Sequence, residues 1–143
     1  MSDEELVKIA VMARKNAYAP MSKYKVGAAL LASSGTVYIG TNVEAPSVIT
    51  TNCAERVAIQ AAYTHGEREF LKLAVVGAMD GNDMLDSTLT PCGTCLQFIL
   101  EMCKDVDILC YIDGKLEKRK VTSFLTTPYE LSLIHISEPT RRT

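Results

Sequence analysis

Missing from this sequence is any apolar run that approaches the length of a membrane span. Its first residues, MSDEELVKIA, are acidic before they are apolar, the wrong order for a secretory signal. A cytoplasmic protein is therefore expected. A basic surface is missing too: the net charge is −2, and the longest basic run, Lys118-Arg119-Lys120, is only three residues and lies beside Glu117. Nucleic-acid binding gains no support from that pattern. No internal repeat and no linker divides the chain. With 48% hydrophobic and 22% charged residues, 143 residues suffice for one domain with a real core. Five cysteines, an odd number without an export signal, are expected to be reduced and available as ligands, nucleophiles or core filler.

The pattern of apolar residues orders the elements. From about Glu4 to Ala17, Leu6, Ile9, Ala10 and Ala13 recur at helical spacing until YAPMS breaks it. VGAALLAS and TVYIGTNV, separated by Ser34-Gly35, read as a β-hairpin. Cys53 to Thr64 reads as a helix stopped by His65-Gly66, FLKLAVVGAM as a buried strand and GNDMLDS as a loop. A second cysteine-led helix runs from TPCGTC through CLQFILEMCK, followed by the strand DILCYI, a turn at Asp113-Gly114 and a short last strand. This αββαβαββ order predicts a mixed sheet between helices, an α/β fold.

Why should a helix begin with a thiol, as in TNCAERVAIQAA? Ser, Thr, Asp or Asn normally caps that end, so Cys53 is a poor packing choice there. The helix start nevertheless presents unpaired N–H groups and the positive end of the dipole, which stabilise a thiolate. Cys92 and Cys95 open the other helix behind Thr90-Pro91, so three thiolates can converge off two positive ends. Three thiols with a nearby carboxylate, Glu55, make a metal-site inventory. Zinc suits it, being tetrahedral and thiolate-loving, and three protein ligands leave a fourth position open for catalysis. Cys103 lies about 16 Å down its helix from Cys92 by helix rise, and Cys110 falls inside a strand, so both read as buried hydrophobes. Cys92-Gly93-Thr94-Cys95 taken alone also fits a redox pair, a reading that leaves Cys53 and Glu55 unexplained.

Cys53-Ala54-Glu55 followed by Pro91-Cys92-Gly93-Thr94-Cys95 resembles the zinc-dependent cytidine deaminases, and the likeness extends to AYAPMSKYKVGAALL, GTNVEA and CAERVAIQAA, covering roughly residues 5 to 125. It implies the three-layer α-β-α fold of that family with a mixed five-stranded sheet, in its short, three-Cys, homotetrameric form. It further implies one zinc per chain on Cys53, Cys92 and Cys95, and hydrolysis of cytidine and deoxycytidine to the uracil nucleosides and ammonia by zinc-hydroxide attack at C4. Glu55 is then the proton shuttle, serving in turn the water, N3 of the base and the departing amine.

Three thiolates on a divalent cation leave one net negative charge, and Arg56, three residues after Cys53 on the same face, can donate to sulfur and withdraw it. By the same resemblance Asn42 and Glu44, alternating at a strand end, hold the ribose 3′-hydroxyl, Tyr24 packs on the base, Val26 lines the pocket, and the Ala54 N–H and Thr90 carbonyl read the pyrimidine edge and amine. Pyrimidine salvage on a free nucleoside, without nucleic acid or membrane, is the expected setting. The rival readings are a sister deaminase of another small base or antibiotic nucleoside, and a zinc-stabilised binding module, which would need a fourth protein ligand.

Some positions depart from the family pattern. Met21 and Val48 stand where Tyr is common, Ala45-Pro46 where Asn-Ala is, and Leu96 where Arg is. Residues 45–52 lie at a subunit join in that family, so assembly and sugar discrimination are the properties these changes touch. A roomier cleft mouth that admits N4-substituted cytidines is a further expectation. Leu131 to Arg141, LSLIHISEPTR, matches nothing in the family and reads like the translation of a transposon-based sequencing-library adapter. The deaminase domain is accordingly expected to span 1–130, with 131–143 a non-native tail. His135 is set aside as a ligand, and Tyr129 stands as a candidate for the aromatic that the family sends into a neighbouring site.

Overall fold

The computed structural model describes residues 1–82 and 84–125. The domain boundary at 130, the tail with His135, and Tyr129 lie outside the described residues.

Elements follow in the order α1 (Asp3–Arg14), β1 (Tyr24–Ala32), β2 (Val37–Thr41), a 3-10 turn (Val48–Thr50), α2 (Ala54–Thr64), β3 (Phe70–Met79), α3 (Gly93–Cys103), β4 (Asp107–Ile112), β5 (Lys115–Lys120) and α4 (Val121–Phe124). One five-stranded sheet runs β2-β1-β3-β4-β5, with β3 and β4 parallel and every other pair antiparallel. The mixed α/β sheet and the eight main elements agree with the sequence reading; the 3-10 turn and α4 are additions.

Side chains of a strand alternate between faces, and here both faces are covered. Ala28 and Leu30 of β1, Leu73 and Val75 of β3, and Ile108 and Cys110 of β4 join Ala58, Ile59, Leu96 and Ile99 in one core cluster beneath α2 and α3. Their neighbours Ala29, Leu31, Ala74, Val76 and Leu109 pack with Leu6, Val7 and Ala10 of α1 on the other face. Burial on both faces explains why β3 from Leu73 onward reads as a continuous apolar run rather than an alternating one.

Two boundaries fall short of their expected ends. α1 stops at Arg14 instead of Ala17, because the chain must leave the helix for Tyr18 to bridge Val43. β2 stops at Thr41 instead of Val43, because Val43 turns from the sheet and exchanges both backbone hydrogen bonds with Asn52, at 3.0 Å each. Asn42 thus directly follows the end of β2, and it and Glu44 flank an isolated bridge. The buried Arg14 guanidinium fixes the same rim, donating to the carbonyls of Lys25, Ala78, Met79 and Asn82 at 2.8–3.1 Å. α2 is seated by Gly40, where a Cβ would lie 2.3 Å from the Ala54 carbonyl oxygen; a bare backbone lets the helix start rest on β2.

Candidate metal centre and substrate cleft

Ser2 shows what an ordinary helix cap does in this chain: its hydroxyl accepts from the Glu5 amide at 3.1 Å while Glu5 Oε1 accepts from the Ser2 amide at 2.8 Å. Cys53 and Cys92 occupy the equivalent positions of α2 and α3, and neither side chain caps its helix. Cys95 lies in the first turn of α3, facing inward and buried. The fold brings the three sulfurs within 4.8 Å of one another. Zn–S bonds of ~2.3 Å in a tetrahedron require sulfurs ~3.8 Å apart, so this soft donor set fits one zinc ion with little contraction. Among the described residues no other His, Cys, Asp or Glu joins the cluster.

Charge in the metal-free chain is distributed unevenly over these thiols. Cys53 is held well below the ordinary thiol range, first by a hydrogen bond from Cys95 and then by Arg56, while the same bond and burial push Cys95 up. Arg56 Nη2 donates to Cys53 Sγ at 3.6 Å, as expected, and its Nε is buried without a partner. Glu55, 5% exposed, has its carboxyl pushed up to about 7 by burial, with the Cys53 charge adding to the effect. Cys103 and Cys110 are buried in the apolar core, apart from this cluster.

The thiols and Glu55 form the floor of a cleft of about 350 Å³, within the range of small-molecule sites. Tyr24, Val26, Asn42, Glu44, Ala54 and Thr90 all line it, so the sequence-derived residues come together in one place. The Asn42 amide is oriented from both ends, its Oδ1 accepting from Val26 N at 2.9 Å and its Nδ2 donating to Tyr24 O at 2.8 Å. Glu44 Oε1 accepts from the amides of Met21 and Ser22 at 3.0 and 3.1 Å, and Oε2 accepts from the Ser22 hydroxyl. These bonds, the Ser22 hydroxyl foremost, hold the Glu44 carboxyl below its usual range.

Ser22, Thr51, Asn52, Val75 and Leu89 also line the cleft and were not singled out from sequence. Asn52 and Leu89 directly precede Cys53 and Thr90, a signal that proximity could have supplied; Val75 sits in a continuous apolar strand and nothing marks it. Not all of the departing positions reach the cleft. Met21, Ala45 and Leu96 are not among the lining residues, and Leu96 is buried in the core beneath α3.

Residues 1–110 match the family described as "Cytidine and deoxycytidylate deaminase zinc-binding region". The chain is 41% identical over 127 residues to a cytidine deaminase of Sporosarcina psychrophila, covering 87% of this chain and 89% of that one. To a blasticidin-S deaminase of Bacillus cereus the identity is 30% over 129 residues, covering 89% and 91%. The crystal structure of a cytidine deaminase from Burkholderia pseudomallei superposes with a TM-score of 0.81 at 34% identity, covering 90% of this chain and 100% of that one.

Proposed function

The chain belongs to the cytidine deaminase family, and we propose that it hydrolyses cytidine and deoxycytidine at C4, giving the uracil nucleosides and ammonia. One observation carries this reading: three thiols within 4.8 Å of one another share the floor of a single cleft with a buried glutamate.

Cys53, Cys92 and Cys95 would hold one zinc per chain. Bound there, zinc supplies the Lewis acidity that makes water a nucleophile near neutral pH. Glu55 carries the protons: its carboxylate accepts one from the attacking water and donates it to N3 of the ring, then takes the proton of the new C4 hydroxyl and hands it to the amine as the C4–N4 bond breaks. Its burial keeps bulk water from competing for those protons. Arg56, donating to Cys53 sulfur, withdraws part of the excess negative charge of three thiolates.

Tyr24 and Val26 flank the base in this reading, and the Ala54 N–H and Thr90 carbonyl meet its polar edge. Asn42 and Glu44 take the ribose 3′-hydroxyl. The hydrogen bonds already made by Asn42 leave it a second amide hydrogen and a lone pair, and the Glu44 carboxylate retains acceptor capacity on Oε2.

A homotetramer in the cytoplasm, serving pyrimidine salvage, completes the proposal. Assembly is supported by the exposed apolar side chains Tyr18, Met21, Val43 and Ile49 on neighbouring segments, Ile49 being 94% exposed. Among the described residues, no helix is long and apolar enough to cross a membrane.

A sister deaminase for an antibiotic nucleoside would share the metal floor, but two hydroxyl-binding side chains in the cleft favour an unmodified sugar. The test is product formation from cytidine, deoxycytidine, N4-acetylcytidine and blasticidin S by the zinc-loaded protein. Turnover of both simple nucleosides is expected; turnover of blasticidin S without cytidine would overturn the reading.

A further inference from the structure

Tyr24 is the first residue of β1 and pairs with Met79 at the end of β3. Its ring lies over the bare backbone of Gly77, where a Cβ would come within 3.0 Å of Tyr24 Cε2 and Oη and within 2.8 Å of Leu89 Cδ2. The strand thus has a notch that the ring and Leu89 share. The hydroxyl at the far end of the ring donates to Asp86 Oδ2 at 2.7 Å. Asp86 is itself tied to the notch, its amide donating to the Gly77 carbonyl at 2.9 Å. Burial, and then Asp86, hold the Tyr24 phenol protonated, so it remains the donor.

Two bonds from one aspartate therefore close a small ring: Gly77 backbone, Tyr24 side chain, and the connection between β3 and α3. That connection goes on to Leu89, Thr90 and Cys92, all of which line the cleft. Asp86 does not line it.

We infer that Asp86 is a positioning residue for substrate, latching the Tyr24 ring and the Thr90 segment into the arrangement that receives the base. This rests on the deaminase reading above. An aromatic side chain held only at its Cβ can rock about χ1 and χ2, and a base that stacks on it must first arrest that motion. A ring pinned at both ends has lost the freedom before the substrate arrives. The latch acts before chemistry and touches neither the metal ligands nor Glu55, so its loss weakens binding more than turnover.

The test is steady-state kinetics on cytidine for the zinc-loaded wild type, Asp86→Ala, Asp86→Asn, Tyr24→Phe and the double variant Tyr24→Phe/Asp86→Ala. Asp86→Ala raises KM by about 5- to 10-fold, the scale of one side chain that binding must newly immobilise, and changes kcat by less than about 3-fold. Tyr24→Phe keeps the ring, loses the donor and reproduces that shift. The double variant is no worse than either single one, because both remove the same bond. Asp86→Asn retains an acceptor oxygen and restores KM to within about 3-fold of wild type. Should Asp86→Ala fail to fold, Tyr24→Phe and Asp86→Asn carry the comparison. Unchanged KM in Tyr24→Phe, additive losses in the double variant, or an Asp86→Asn as impaired as Asp86→Ala would each overturn the latch while leaving the deaminase reading intact. A wild type that releases no ammonia from cytidine would overturn the deaminase reading itself.

Discussion

Helix α3 carries cysteines at both of its ends, and they have opposite characters. Cys92 and Cys95 sit at its start, among the unpaired amides and the positive pole, facing Cys53 at the start of α2. Cys103 is its last residue, buried against apolar neighbours, and burial pushes its thiol up to about 12. Cys110, central in β4, is likewise pushed up to about 11 by burial. One residue type thus forms a donor cluster that fits zinc in one place and is core filler in another. Position relative to a helix end and to the other thiols decides which.

The largest effects should come from the cluster side of that contrast. Cys53→Ser, Cys92→Ser or Cys95→Ser is expected to lose zinc and bring ammonia release to background, whereas Cys103→Ala and Cys110→Ala keep both. Metal analysis beside the deamination assay checks this, and a cluster variant with full zinc and full rate would break the distinction. Chelation sharpens it further. Removing the metal should open Cys53 and Cys92, which reach solvent, to a labelling reagent at pH 8, while Cys103 and Cys110, protonated and buried, react only on unfolding.

Next in size is Glu55→Gln, which keeps the zinc and the fold but cannot carry protons; turnover should fall roughly 100- to 10,000-fold. Near-normal kcat would move the proton shuttle to another group. Arg56→Ala removes the donor to Cys53 sulfur, and a loss of about 10- to 100-fold in zinc affinity or activity is expected, the scale of partners behind metal ligands. Competition with a chromophoric chelator measures it. The smallest effect belongs to the core thiols: Cys110→Ala should cost about 1 to 2 kcal/mol of stability in denaturant unfolding, with kcat unchanged.

What was legible in the sequence was local chemistry. Cys-Ala-Glu at one helix start and Pro-Cys-Gly-Thr-Cys at another carry their own electrostatic logic, and the apolar run of β3 from Leu73 onward needs no partner to be read as buried. The boundaries at Arg14 and Thr41 were not legible, because a bridge between Tyr18 and Val43 ends the first helix early and the Val43–Asn52 pair ends β2. Asp86 was read only as part of a loop. Its partner Tyr24 lies 62 residues away, and no local pattern marks a hydrogen bond of that span. Which of Met21, Ala45 and Leu96 would reach the mouth was not legible, because the turn of a helix and the packing of a core decide which neighbour of a site residue faces the site.

Three thiols, with no fourth protein ligand among the described residues, would hold one zinc per chain and leave a position for substrate chemistry. X-ray absorption at the zinc edge of the purified, active protein tests it most directly. Three sulfur neighbours at about 2.3 Å and one lighter oxygen neighbour around each zinc are expected. Four sulfurs around the metal, or two, would contradict it.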